Sequence, residues 1–214
     1  MKKMIMWCVL LWSSQVCLAL EPYVQGDKLA GADLSAQLAQ IEKKLQAEGF
    51  TVIGRHTPKG LPGYASLVIT DPDMLTAIRT IGGSAIVASG IRVGLQNDGT
   101  LTYMNPDYWY RAYLRGQYKV AQAAAKSVQM RLAKALGEGK AFGGDVPEAD
   151  LANYRYMIGR ERFDSANSEL STHASFEEAL KAVQGNLSKG TGTTSRVYEV
   201  VMPNSKIAVF GVAM

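Results

Sequence analysis

Both cysteines of this 214-residue chain, Cys8 and Cys17, lie within its first nineteen residues. From Leu20 onward there is no thiol, so the chain must hold its fold by packing alone, without disulfides. The same fact removes thiol catalysis, thiolate metal sites and iron–sulfur clusters from that stretch. What precedes Leu20 has the layout of a secretory signal peptide. Lys2 and Lys3 are the positive start, residues 4–12 are an unbroken apolar run, and residues 13–19 end on small side chains. We therefore expect cleavage after Ala19 and a periplasmic or secreted protein of 195 residues. A membrane anchor is the weaker reading, because a spanning helix needs about 20 apolar residues and Ser13, Ser14 and Gln15 interrupt this run. A lipoprotein reading is a minor alternative, because Gln15 and Val16 before Cys17 fit its cleavage pattern poorly.

Removing Lys2 and Lys3 lowers the count of basic residues from 23 to 21, against 19 acidic ones, so the net charge falls from +4 to +2. There is no long basic block, which argues against nucleic acid as a partner. No later stretch is apolar enough for a transmembrane segment after signal cleavage.

Helix-period and strand-period segments alternate along the rest. Leu34, Leu38, Ile41 and Leu45 make one stripe of a helix over 33–48, with Asp33 as its cap and Gly49 as its stop. Strands are expected at 50–55 and 64–70, separated by a proline- and glycine-rich loop. Asp71-Pro72 starts a short helix that Gly82-Gly83 breaks. Residues 85–95 read as a buried strand. The turn Asn97-Asp98-Gly99 then returns the chain antiparallel through 100–104.

Asn105-Pro106 opens another helix, interrupted near Gly116. The longest helix follows over 117–136, with Val120, Ala124, Val128, Leu132 and Leu136 in register. Residues 140–147 read as a linker, and 138–150 as a candidate internal boundary. A strand is expected at 154–158, a helix at 175–184 with Ser175 and Glu178 in capping-box spacing, and two strands at 196–202 and 207–213. The pattern predicts a single α+β domain over 20–214. It would have two layers, a mixed, mostly antiparallel sheet with helices packed on one face, and the last strands would complete that sheet.

The densest aromatic stretch is 103–113, which holds four of the ten tyrosines and Trp109. On a helix begun at Asn105, the side chains of Pro106, Trp109, Tyr110 and Tyr113 share a face, while Tyr108 and Arg111 lie elsewhere around it. Such a stripe is most simply a helix docked on the sheet. Its functional reading is one wall of a cleft. There Tyr103, Asn105, Tyr108, Trp109 and Arg111 would contact a small ligand, with Arg92 as an anion partner.

The segment from Leu34 to Tyr113 resembles the uncharacterised bacterial domain-of-unknown-function family 302. The resemblance rests on an amphipathic helix ending in Gly49-Phe50, the pair Arg92-Val93, the turn Asp98-Gly99, the run Tyr103-Met104-Asn105-Pro106, and Tyr113. It implies a small two-layer α/β domain of mixed sheet and helices, and it carries no settled activity.

Other chemistries find less in the chain. His56 and His173 are 117 positions apart, so a metal or haem-associated redox site would need them to meet in space with methionines such as Met104. No haem-attachment motif, nucleophile elbow or phosphate loop occurs, and no cofactor is expected. Between Arg111 and Gly137 there is no acid, and Arg115, Lys119, Gln122, Lys126 and Gln129 fall on one side of the long helix. That side is a solvated face or a docking surface for an acidic periplasmic protein. The reading that results is a non-enzymatic binding or accessory protein. The runner-up is a metal- or haem-associated redox protein built on His56 and His173.

Overall fold

The computed structural model of the protein describes residues 19–31, 33–155, 157–161 and 168–214. The expected signal peptide lies outside them, except for Ala19. Ten strands and five α-helices form among the described residues. In chain order they are β1 (Ala19–Leu20), β2 (Tyr23–Gln25), α1 (Leu34–Ala47), β3 (Thr51–His56), β4 (Tyr64–Thr70), α2 (Pro72–Ile81), β5 (Ile91–Gln96) and β6 (Leu101–Met104). There follow α3 (Pro106–Leu114), α4 (Tyr118–Leu136), β7 (Ala141–Phe142), β8 (Val146–Pro147), α5 (Phe176–Ser188), β9 (Ser195–Met202) and β10 (Ile207–Ala213). The fold is α+β, with antiparallel sheets.

The main sheet has six strands in the order β3-β4-β5-β6-β2-β7. Local sequence signals set most of it. The Asp98 carboxylate accepts the Thr100 amide at 2.9 Å and Gly99 takes a positive φ of 83°, so β6 returns beside β5 with Val93 opposite Tyr103. Helix starts are capped where the sequence places caps. The Asp71 side chain accepts from the Met74 amide at 2.9 Å, that of Asn105 from Asp107 at 3.2 Å, and that of Ser175 from Glu178 at 3.1 Å.

The pleat divides the sheet into two faces. Leu67, Ile69, Ile91, Val93, Leu95, Leu101 and Tyr103 are buried with Ile41, Leu45, Ile78, Val128 and Leu132 of α1, α2 and α4 in the principal core. Ser66, Val68 and Arg92 alternate with these residues and so take the opposite face. The second half of α4 buries its expected stripe, while the first half turns one residue away from it. Tyr118, Ala121, Ala125, Val128, Leu132 and Leu136 are buried, while Val120 is exposed. Three other helices flank α4, and the small alanines let them approach closely.

Three strand expectations are corrected. The strand predicted from residue 85 starts at Ile91, because Gly83–Ser89 winds into a 3-10 helix whose Ala85, Ile86 and Ala88 are buried. Of the strand predicted at 154–158, the described residues hold only an isolated bridge at Arg155. The chain before it forms a 3-10 turn over Glu148–Asn153, which buries Leu151. The last two strands do not complete the main sheet. β9 and β10 form their own antiparallel hairpin. It lies against β3, where a Cβ on Gly54 would stand 2.6 Å from the Val197 carbonyl oxygen and 2.9 Å from the Tyr198 Cβ. A side chain at Gly54 would hold the hairpin away, so the fit depends on glycine's bare backbone. The expected linker is also structured. β7 pairs with β2, and β8 pairs with β1.

Candidate functional site

Asn105 caps α3, and its amide group and backbone hold the segment at Glu21-Pro22. Its Nδ2 donates to the Glu21 carbonyl at 2.8 Å, and its backbone N–H donates to that of Pro22 at 2.9 Å. Trp109 donates its indole N–H to the same Pro22 carbonyl at 2.7 Å. The Trp109 ring packs against Tyr23, Tyr108 and Tyr113, with centroids 6.1, 5.2 and 5.3 Å away. Tyr108, expected away from the packed face, is buried in a satellite cluster with Val146 and Leu151. Burial pushes its phenol up to about 12.

Two other expected contacts also have internal partners. Tyr103 donates its hydroxyl to the Gly137 carbonyl at 2.9 Å, tying β6 to the end of α4. Arg111 donates to Asp107 at 2.8 Å and pairs with Glu148 at 2.6 Å, with its guanidinium 4.3 Å from the centre of the Tyr118 ring. Tyr103, Asn105, Tyr108, Trp109 and Arg111 thus fasten α3, the N-terminal strands and the 3-10 turn at 148–153 to one another.

Arg92 is different. It projects from β5 on the face opposite Val93, is exposed, and its guanidinium makes no hydrogen bond or ion pair with the described residues. It lines a cleft of about 380 Å³ between the sheet and the C-terminal hairpin. His56 and Ser66 come from β3 and β4, Met104 from β6, Tyr113 from α3 and Tyr198 from β9. The Arg92 backbone N–H donates to the Met104 sulfur at 3.2 Å, which holds the base of the arginine against the sheet. Burial raises both the Tyr113 and the Tyr198 phenols, and the Arg92 charge acts on each in the opposite direction. Both hydroxyls therefore stay protonated at neutral pH and lie within the electrostatic reach of one guanidinium.

The hairpin shapes the far wall. Tyr198 stands opposite Gly211, and its ring occupies the space where a side chain at Gly211 would be, while its edge faces Gly90. The sequence expectation groups Arg92 with Tyr103, Asn105, Tyr108, Trp109 and Arg111, whereas this cleft groups it with Tyr113, Tyr198 and His56. Tyr113 shares a helix face with Trp109, and the pairing of residues around Pro203-Asn204-Ser205 sets Tyr198 against Gly211, so both signals were available.

His56 and His173 occupy different settings. His56 ends β3 and lines the cleft. His173 precedes α5, outside the cleft, with its Nε2 3.3 Å from the Ser171 hydroxyl oxygen. Among the described residues, no group of three His, Cys, Asp or Glu could hold a metal ion. On the long helix, Arg131 and Lys134 pair with Asp71 and Glu48, while Lys119 and Lys126 remain exposed. No described helix is long and apolar enough to cross a membrane.

Comparison with known proteins finds a weak resemblance. The solved structure of an uncharacterized conserved DUF302 protein from Bacillus stearothermophilus matches with a TM-score of 0.40 and 18% identity, over 53% of this chain and 94% of that one. No family model matches the chain, and no curated protein does.

Proposed function

We propose that this is a periplasmic or secreted binding or accessory protein that holds a small anionic ligand in the Arg92 cleft. The observation that carries the reading is the Arg92 guanidinium, without a hydrogen bond or ion pair among the described residues, in one cleft with two protonated tyrosines. A planar guanidinium fits a carboxylate with two parallel hydrogen bonds, and the tyrosines add neutral donors. Within the same lining, Val68, Met104 and Val197 supply apolar contact for the ligand body. The volume lies within the usual range for small-molecule sites, roughly 300–1,000 Å³. The signal-like first nineteen residues support the compartment.

Acetate is the simplest probe. Titrated against the protein, it should shift the Arg92 side-chain N–H resonance in NMR spectra, and Arg92→Met should abolish the response while the fold persists. Saturating acetate without any shift at Arg92 overturns the proposal.

A further inference from the structure

A second cavity of about 470 Å³ shares Val87 and strand β10 with the lining of the Arg92 cleft, and its chemistry is different. It lies where α5 and the 3-10 helix at Gly83–Ser89 border β10. Phe176, Ala179, Leu180 and Val183 of α5 contribute to its lining, with Ile86 and Phe210 beyond them. None of the side chains of α5 is buried, so the apolar face of this helix is only partly covered. Val87 lines both cavities and is 42% exposed.

The strand β10 joins them in sequence. Residues 206–210 line the apolar cavity, and residues 211–214 line the Arg92 cleft. At about 3.3 Å per residue, those nine positions span roughly 26 Å. Among the described residues β10 pairs with β9 alone, and the 3-10 helix at Gly83–Ser89 packs against it. The Arg92 cleft is therefore cationic and hydroxyl-lined, and the cavity beside it is mostly hydrocarbon-lined, with Lys206 and Ser84 as its polar lining residues.

The geometry points to a single-chain carboxylate amphiphile of the fatty-acid class as the ligand. Its head would lie at Arg92 and its alkyl chain would run past Val87 along β10 to Leu180 and Val183. This inference rests on the proposed anion site and extends it. A short carboxylate would satisfy Arg92 and leave the apolar arm wet. A long-chain alcohol would fill the arm and leave the arginine unpaired. Only a molecule with both parts uses both ends, and each methylene removed from water adds to affinity.

The test compares acetate with dodecanoate below its micelle concentration, using calorimetry and NMR on the full chain. Dodecanoate should bind on the order of 100-fold more tightly than acetate. Its methylenes should give intermolecular contacts to the Val87 methyls. Leu180→Asp and the half-exposed Val183→Asp should each cost dodecanoate about tenfold and leave acetate binding unchanged. Val183→Asp serves if the Leu180 variant does not fold. Arg92→Met should weaken both carboxylates. If acetate binds at Arg92 but dodecanoate binds no more tightly, or its gain survives both Asp variants, the amphiphile inference is overturned and the anion site stands. If neither carboxylate binds, both fall.

Discussion

Arg131 of α4 donates to the Asp71 carboxylate at 2.5 Å, and Asp71 is at the same time the cap of α2. The Asp71 side chain is 1% exposed, and its other oxygen accepts from the Met74 amide at 2.9 Å. Arg131 also donates to the Glu48 carbonyl, at 2.9 Å, and lies 4.8 Å from the centre of the Phe50 ring. One guanidinium thus joins the end of α1, the start of α2 and the middle of α4 above the principal core. Removing one partner of a buried pair leaves the other charge without compensation.

Arg131→Met is accordingly expected to lower the unfolding free energy by about 3–5 kcal/mol. Asp71→Asn should cost less than Arg131→Met, because asparagine still caps a helix. In a double-mutant cycle by urea denaturation the two losses should overlap strongly. Additive losses would show that the pair is not the unit of stability.

Gly54→Ala tests the seat of the hairpin. The new Cβ would meet the backbone of Val197, which cannot move aside as a flexible side chain would. We expect amide exchange to accelerate through β9 and β10 while β4, β5 and β6 keep their protection. Acetate binding should weaken with it, because Tyr198 is carried by the displaced strand. Unchanged exchange in β9 would mean that the close approach at Gly54 does not position the hairpin.

Tyr103 makes the stability pH-dependent on the alkaline side. Burial, helped by the nearby charges of Glu138 and Asp27, pushes its phenol up to about 12 from an ordinary value near 10. The folded state thus favours the protonated ring. That contribution is fully present below pH 10 and is lost as the pH rises from 10 to 12. Tyr103→Phe cannot ionise, so its stability should decline less steeply across that window. It should also be less stable at neutral pH by about 1 kcal/mol, having lost the bond to Gly137. Parallel alkaline profiles for the two proteins would refute the assignment.

Particular residues show where sequence reading reached and where it stopped. Asp71-Pro72, Asn105-Pro106 and Ser175 marked helix starts because a cap needs only the next two or three amides. Asn97-Asp98-Gly99 marked a hairpin because the turn closes on itself. Val120 fits the core pattern yet is exposed, because an alanine-rich helix offers two adjacent stripes of similar hydropathy, and only its neighbours choose between them. Arg92 and the aromatic run were singled out together. Yet nothing within 103–113 shows that Trp109 and Asn105 would be engaged by carbonyls more than eighty positions earlier.

Sequence alone carried most of the helices and several strands, the capped starts, the tight turn, the α+β class and a chain that must pack without disulfides from Leu20 onward. Each of these depends on interactions between residues a few positions apart, or on composition alone. Tertiary packing chose that β9 and β10 stand apart from the main sheet, that Tyr198 and Arg92 line one cleft, and that Arg111 is paired while the Arg92 guanidinium has no ion pair among the described residues. Those outcomes depend on contacts between distant segments. The alternation that specifies a strand says which side chains share a face, but the strand that finally lies beside it is chosen by the packing of the whole chain.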